Sequence, residues 1–327
     1  MDIAMEFFYG YDAGKVLMAR QLGVRRAVTN VAPGVSVLPP EVASGGGYDF
    51  APFLKKLEMF EEAGLEVSVI EGPTPLEKTK LGMPGRDREI DVFLGFLRLL
   101  DEKNIRTVCY NWMPVVGWYR TDTDIPARGG ALVTGYRHEA GKALPGTEYG
   151  EVSPERMWQN LAYFLRAVLP AAEKHGIRLA VHPDDPPVES LRGISRVLTS
   201  FEAFKRAAEL VPSPMNGMTM CQGSFVTMGE DPLEVIEHFG RLGKMFFAHF
   251  RDVRGDRYDF EETFHDDGPT DMYACMKRYA GVGYDGCIRP DHVPAMLGEE
   301  NEHPGYTNLG NLFAVGYMRG LMEAATG

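Results

Sequence analysis

Residues 153–187, SPERMWQNLAYFLRAVLPAAEKHGIRLAVHPDDPP, decide the fold. Ser153-Pro154-Glu155 has the form of a helix start, a hydroxyl cap followed by proline in the first turn. From Glu155 to His175, the residues Trp158, Leu161, Ala162, Leu165 and Val168 recur at the spacing of one helix face. Gly176 then offers a residue that turns left-handed at no steric cost and stops the helix. Leu179-Ala180-Val181 reads as a short buried strand, and polar groups, His182-Pro183-Asp184-Asp185, follow at its carboxyl end. The unit is a helix, a glycine stop, a strand and a polar rim.

The same unit recurs outward in both directions. Gly23, Gly64 and Gly243 stand as stops before the second, third and seventh apolar runs. Eight such runs lie near 4–10, 26–31, 66–71, 106–111, 178–182, 216–221, 245–249 and 285–290, with helical patterns between them. Eight strands alternating with helices close most simply into a (β/α)8 TIM barrel, a single domain over residues 1–327. A doubly wound open sheet is the competing architecture, weakened by the lack of a GxGxxG turn after any early strand. The connection 112–152 after strand four, carrying Trp112, Trp118, Tyr119, Arg120 and Tyr136, is long enough to read as a lid over the barrel mouth.

Composition narrows the function. The 44% hydrophobic and 24% charged content is that of an ordinary globular chain. A formal net charge of -12 argues against a nucleic-acid partner, whose phosphates select basic surfaces. It leaves an anionic small substrate open, because a bound cation reverses the field inside one cleft. Four cysteines (Cys109, Cys221, Cys275 and Cys287) show no CxxC pair, which predicts a reducing, cytoplasmic setting. Met1 to Gly10 has no signal-peptide pattern, and no apolar run is long enough for a membrane span.

In a barrel the carboxyl ends of strands share one mouth, whatever their distance in sequence. Strands five to eight end at His182, Cys221, His249 and Asp291-His292. Imidazole, thiolate and carboxylate suit a divalent transition ion better than magnesium or calcium. Taken singly, each residue is more readily a satisfied core histidine or a small apolar cysteine; the argument rests on four ligand types at four successive strand ends. Glu71 and Asn111, ending strands three and four, are candidates for binding substrate hydroxyls. Arg120 is a candidate for a substrate carboxylate, and Arg289, a further substrate-binding candidate, faces either inward or outward. His175 and His238 read as surface residues, Cys109, Cys275 and Cys287 as core, while His265 and His303 lie in loops near the rim.

These residues resemble the mannonate dehydratase family, barrels related to xylose isomerase. The resemblance runs over most of the chain: Thr107-Val-Cys-Tyr-Asn-Trp-Met-Pro with Trp118 and Arg120-Thr-Asp, His182-Pro-Asp-Asp-Pro-Pro, Cys221-Gln-Gly-Ser, and His249-Phe-Arg. It continues through Phe260-Glu-Glu, His265, Asp271-Met-Tyr, Arg289-Pro-Asp-His292 and Gly305-Tyr306. It implies that His182, Cys221, His249 and Asp291 bind Mn2+, Fe2+ or a similar ion. It further implies dehydration of D-mannonate to 2-keto-3-deoxy-D-gluconate, with His292 and Tyr306 handling the protons. A small sugar acid as ligand and a homo-oligomer, dimer or higher, are implied with it. The chain departs from the family's usual pattern at Phe7-Phe8-Tyr9-Gly10, at Thr29-Asn30-Val31-Ala32-Pro33, at Val293-Pro294 and at Asn311. Those departures keep a related aldonate in view as substrate. The rival readings are a sugar isomerase or epimerase on the same barrel, and a non-catalytic barrel that binds metal or sugar acid.

Overall fold

The computed structural model describes residues 1–326. Its frame is a closed barrel of eight parallel strands: β1 (Asp2–Phe7), β2 (Arg26–Thr29), β3 (Glu66–Glu71), β4 (Thr107–Asn111), β5 (Arg178–His182), β6 (Asn216–Cys221), β7 (Met245–Phe250) and β8 (Cys287–Pro290). Neighbours in sequence are neighbours in space, and β8 closes on β1 through Asp2 opposite Cys287 and Ile3 opposite Ile288. All eight apolar runs read from the sequence are barrel strands.

The helix Pro154–His175 starts at Ser153, whose side chain accepts the Arg156 N–H, and stops at Gly176 with φ 63°. Leu161, Leu165 and Val168 on its predicted face are fully buried, each contributing roughly 2 kcal/mol of hydrophobic stabilisation. Phe164 carries the same helix onto its neighbours, with ring centroids 5.2 Å from Phe93 and 5.5 Å from Tyr110.

The strand register sets the rim. Asn111 lies opposite His182 across β4 and β5. Cys221 lies opposite His249 across β6 and β7, and His249 opposite Arg289 across β7 and β8. The last residues of adjacent strands therefore stand side by side, and a chemical site follows from pairing alone.

The connection 112–152 is folded rather than open. Its strands Asp122–Pro126 and Leu132–Arg137 join the hairpin Val253–Asp256 and Asp259–Glu262, which follows β7, in one four-stranded antiparallel sheet. A bridge between Leu132 and Ala295 ties that sheet to the segment after β8. Among the described residues, no helix is long and apolar enough to cross a membrane.

Candidate active site

His182 ends β5 and donates its Nδ1–H to the Pro183 carbonyl at 2.7 Å, which leaves Nε2 as the bare nitrogen. That Nε2 lies 3.1 Å from His249 Nδ1. Nδ1 of His249 is 3.5 Å from Asp291 Oδ2, and the same carboxylate oxygen is 3.8 Å from Cys221 Sγ. Ser224 Oγ donates to the thiol from the next turn at 3.2 Å. The ligand atoms of His182, Cys221 and His249 all fall within 4.8 Å of one another. Three of the four rim residues expected from the sequence thus form one cluster, and the fourth, Asp291, adjoins it through His249 and Cys221.

Burial alone would raise the Cys221 thiol, but the Arg251 guanidinium and the neighbouring imidazoles of His182 and His249 carry it well below its ordinary range. Burial and Arg289 would likewise lower His249, yet Glu71 and Asp291 overcome them and raise it to about 10. Burial opposes the ionised form of Asp291, and Arg289, His292 and His249 hold its carboxyl well below the usual range. The Cys221 thiolate, the Asp291 carboxylate and the bare Nε2 of His182 are forms that ligate a metal, whereas His249 has to release a proton to do so. The far nitrogen of His249 supports the fit. Nε2 is buried 3.3 Å from Glu71 Oε2 but misaligned for a hydrogen bond, and it has no other partner. A carboxylate behind a ligating histidine is the arrangement that orients such ligands.

Glu71 and Arg289 are a pair. Arg289 points inward and is buried; it donates Nε and Nη2 to Glu71 at 3.0 and 2.9 Å and Nη1 to Asp291 at 2.8 Å. Burial would raise Glu71, but Arg289 and His249 hold it down at about 2. Asn111 accepts from Lys80 Nζ at 3.0 Å and from the Met113 N–H at 3.1 Å.

Arg120 sits deeper than its place in a long loop suggests. Its guanidinium takes Asp185 in a two-pronged pair and Glu262 at 2.7 Å, all buried. Arg251 closes the ring, 3.0 Å from Asp185 and 3.3 Å from Glu262. His292 stands inside it, with Nδ1 2.9 Å from Glu262 Oε1 and in contact with Arg251 Nη1. His292 also holds φ 46°, an uncommon conformation for a residue with a side chain and one met most often at functional positions.

Tyr306 reaches His292 through the backbone: the Val293 N–H donates to the Gly305 carbonyl at 2.8 Å, and the two rings meet edge-on at 5.6 Å. Both line a cavity of about 110 Å³ together with Glu71, Asn111, His182, His249, Arg289 and Asp291. Asp185, Arg251 and Glu262 lay within the quoted motifs without an assigned role. Their clue was that each is a charge placed directly beside a strand end or hairpin that reads as buried. His265 is fully buried, stacked at 6.3 Å on Phe250, whereas His303 stacks on Tyr9 at 3.6 Å at the surface.

A closed parallel barrel that gathers ionised and proton-carrying side chains at one mouth is a TIM-barrel enzyme. Comparison with known proteins narrows the class. The D-mannonate dehydratase (UxuA) family model matches residues 5–148 and 141–326. The mannonate dehydratase of Thermotoga maritima is 35% identical over 320 residues, covering 87% of this chain and 88% of its own. Mannonate dehydratase 2 of Halalkalibacterium halodurans is 34% identical over 355 residues and covers 100% of both chains. The crystal structure of mannonate dehydratase from Streptococcus suis serotype 2 superposes with a TM-score of 0.90 at 31% identity, covering 100% of this chain and 95% of that one. A D-tagatose 3-epimerase-like protein, at 14% identity and a TM-score of 0.60, shares the fold alone. The chain belongs to the D-mannonate dehydratase family, whose named activity is that of a hydro-lyase.

Proposed function

We propose that this chain dehydrates D-mannonate to 2-keto-3-deoxy-D-gluconate, with a divalent transition ion, manganese or iron, held by His182, Cys221, His249 and Asp291. The observation that carries the proposal is the cluster of His182, Cys221 and His249, with Asp291 against the last two, beside the cavity lined by His292 and Tyr306. When bound, the ion supplies Lewis acidity to the substrate carboxylate and its neighbouring hydroxyl.

The residues of the chain do the rest. The reaction removes a proton from C2 and the hydroxyl from C3 as water, leaving an enol that gives up the proton on its C2 oxygen and takes one at C3 to become the 2-keto acid. It needs one group to accept the C2 proton and one to protonate the departing hydroxyl. His292 and Tyr306 are that pair. The Nδ1 of His292 is engaged by Glu262 and Arg251, so Nε2, 3.7 Å from Asp291 Oδ1, is the nitrogen left to exchange a proton. Tyr306 Oη is the second group. Arg120 acts as a brace for Asp185, Glu262 and His292, a different role from the direct carboxylate contact first expected. Arg289 and Glu71 hold Asp291 and His249 in place, and Asn111 faces the substrate.

The test is metal-stripped protein incubated with D-mannonate, with and without manganese, and assayed for the 2-keto-3-deoxy product. Manganese-dependent product supports the reading. A fully metal-loaded protein that leaves D-mannonate unchanged sinks it and directs the search to related aldonates. A cytoplasmic, homo-oligomeric enzyme acting on a small sugar acid completes the proposal.

A further inference from the structure

The cavity beside the rim is small. Its 110 Å³ is room for about eight water-sized groups at roughly 10–15 Å³ of such space each, fewer than the heavy atoms of a six-carbon polyhydroxy acid. The far end of such a substrate must therefore lie elsewhere. A second cavity of about 460 Å³ continues directly from the first, sharing Glu71, Gly72, Tyr110, Asn111 and Met113 as walls. A third, toward Asp12, Lys15, Glu299, Glu300, Glu302 and His303, shares only Tyr306 with the first.

Among the described residues, Lys80 is the one cationic side chain on the wall of the second cavity. It rides on the helix Glu77–Leu81 and is only 8% exposed, so its ammonium is held rather than waving in solvent. An ammonium has three N–H donors. Two are engaged: Asn111 Oδ1 at 3.0 Å and Glu77 Oε1 at 3.4 Å. The third has no partner among the described residues. Glu77 is itself anchored, because its other oxygen accepts the Val115 N–H at 2.6 Å. Val115 has φ 69°, at the centre of a tight turn closed by the Val116 N–H on the Pro114 carbonyl. The ammonium is thereby fixed at the seam between the two cavities, next to Asn111, which lines both.

We infer that Lys80 is a specificity-determining residue: its free donor reads the distal hydroxyls of a sugar acid longer than four carbons, with Glu77 and Asn111 setting its direction. The inference rests on the sugar-acid reading of the site. Hydroxyl oxygens accept from an ammonium in a charge-assisted hydrogen bond, which is stronger than a neutral one. A lysine here therefore favours polyhydroxylated tails over apolar ones.

The test is steady-state kinetics of manganese-loaded wild type, Lys80→Met and Lys80→Gln. The ligands are D-mannonate and a four-carbon trihydroxy acid, the latter followed as substrate or as competitive inhibitor. Lys80→Met should raise KM for D-mannonate by about tenfold, the weight of one such hydrogen bond, with kcat within about twofold. The four-carbon acid should bind as it does to wild type, and Lys80→Gln, which restores a donor, should recover part of the loss. Equal weakening of both acids, or an unchanged KM for D-mannonate, overturns the inference. Wild type that turns over and binds neither acid overturns the sugar-acid reading itself, a result separable from any behaviour of the variants. Thermal melts and metal content identify a variant that has lost its fold, and Lys80→Gln then carries the comparison.

Discussion

Arg120 and Asp185 form a two-pronged ion pair, Nη1 to Oδ1 at 2.6 Å and Nη2 to Oδ2 at 2.9 Å, with neither side chain more than 1% exposed. The pair locks the segment after β4 to the end of β5. It also begins a chain of charges that runs through Glu262 and Arg251 to His292. Burial alone would raise Asp185, and Arg120 with Arg251 instead hold it well below the usual carboxylate range. Charges this deep persist only when each has its partner.

Arg120→Met should therefore be costly. It leaves Asp185 and Glu262 to share Arg251, and removing one member of a buried ion network costs about 3–5 kcal/mol. The melting temperature should fall by roughly 4–7 °C for a chain of this size. Lysine should not rescue it, since one ammonium cannot span two carboxylates in the geometry of a guanidinium fork. A melt within a degree or two of wild type would show that the network is energetically neutral.

Cys221→Ser should lose metal and keep its fold. The side chain is fully buried and serine fills nearly the same space, but a hydroxyl stays protonated where the thiol ionises. Metal affinity should weaken by about a hundredfold or more, read by elemental analysis of dialysed protein beside an unchanged circular dichroism spectrum. Full metal content in this variant would remove Cys221 from the ligand set.

Manganese affinity should rise with pH. With His249 raised to about 10, the metal-free protein carries a proton there that a ligating nitrogen has to release. Below pH 10 each unit of pH should therefore tighten binding by up to about tenfold, with one proton released per ion. Titration calorimetry in buffers of different ionisation enthalpy counts that proton. A flat affinity from pH 7 to 9 would mean that His249 is already neutral.

His265 gives the protein an acid limb. Burial lowers it from its ordinary value to about 4, so between about 4 and 6.5 the unfolded chain binds a proton that the folded chain refuses. By that sign, its share of stability is whole above pH 6.5 and drains as pH falls toward 4. His265→Phe should flatten this limb, with a gain on the order of 1 kcal/mol over wild type near pH 5, measured by urea unfolding across the range. Parallel curves for the two proteins would show that His265 does not set the limb.

The barrel was legible in the sequence because its signal is local. Each strand is an apolar run of a few residues, and stops such as Gly176 sit next to it in the chain. The rim was legible for the same reason: His182, Cys221, His249 and Asp291 close their strands or follow at once, and parallel register puts strand ends together. The antiparallel sheet was not. Tyr136 pairs with Phe260 across more than a hundred residues, and neither stretch announces its partner. The burial of Arg120 depends on that sheet, so it stayed hidden with it. Arg289 was ambiguous because one residue of phase decides which face of a strand it takes. Lys80 lies on a helix of five residues whose contact with Asn111 exists only once β3 and β4 are side by side.

Tyr306→Phe should separate chemistry from binding. Tyr306 touches none of the four rim ligands by hydrogen bond; it arrives at the cavity because the Val293 N–H is tied to the Gly305 carbonyl, and its ring meets those of His292 and Phe8 edge-on. Phenylalanine keeps both ring contacts and the cavity wall, so metal content and KM should stay close to wild type. The hydroxyl is the only atom lost. If it exchanges a proton with substrate, kcat should fall by about 10²–10⁴, the usual weight of one general acid or base. Turnover at the wild-type rate would take Tyr306 out of the mechanism and leave proton transfer to His292 with water.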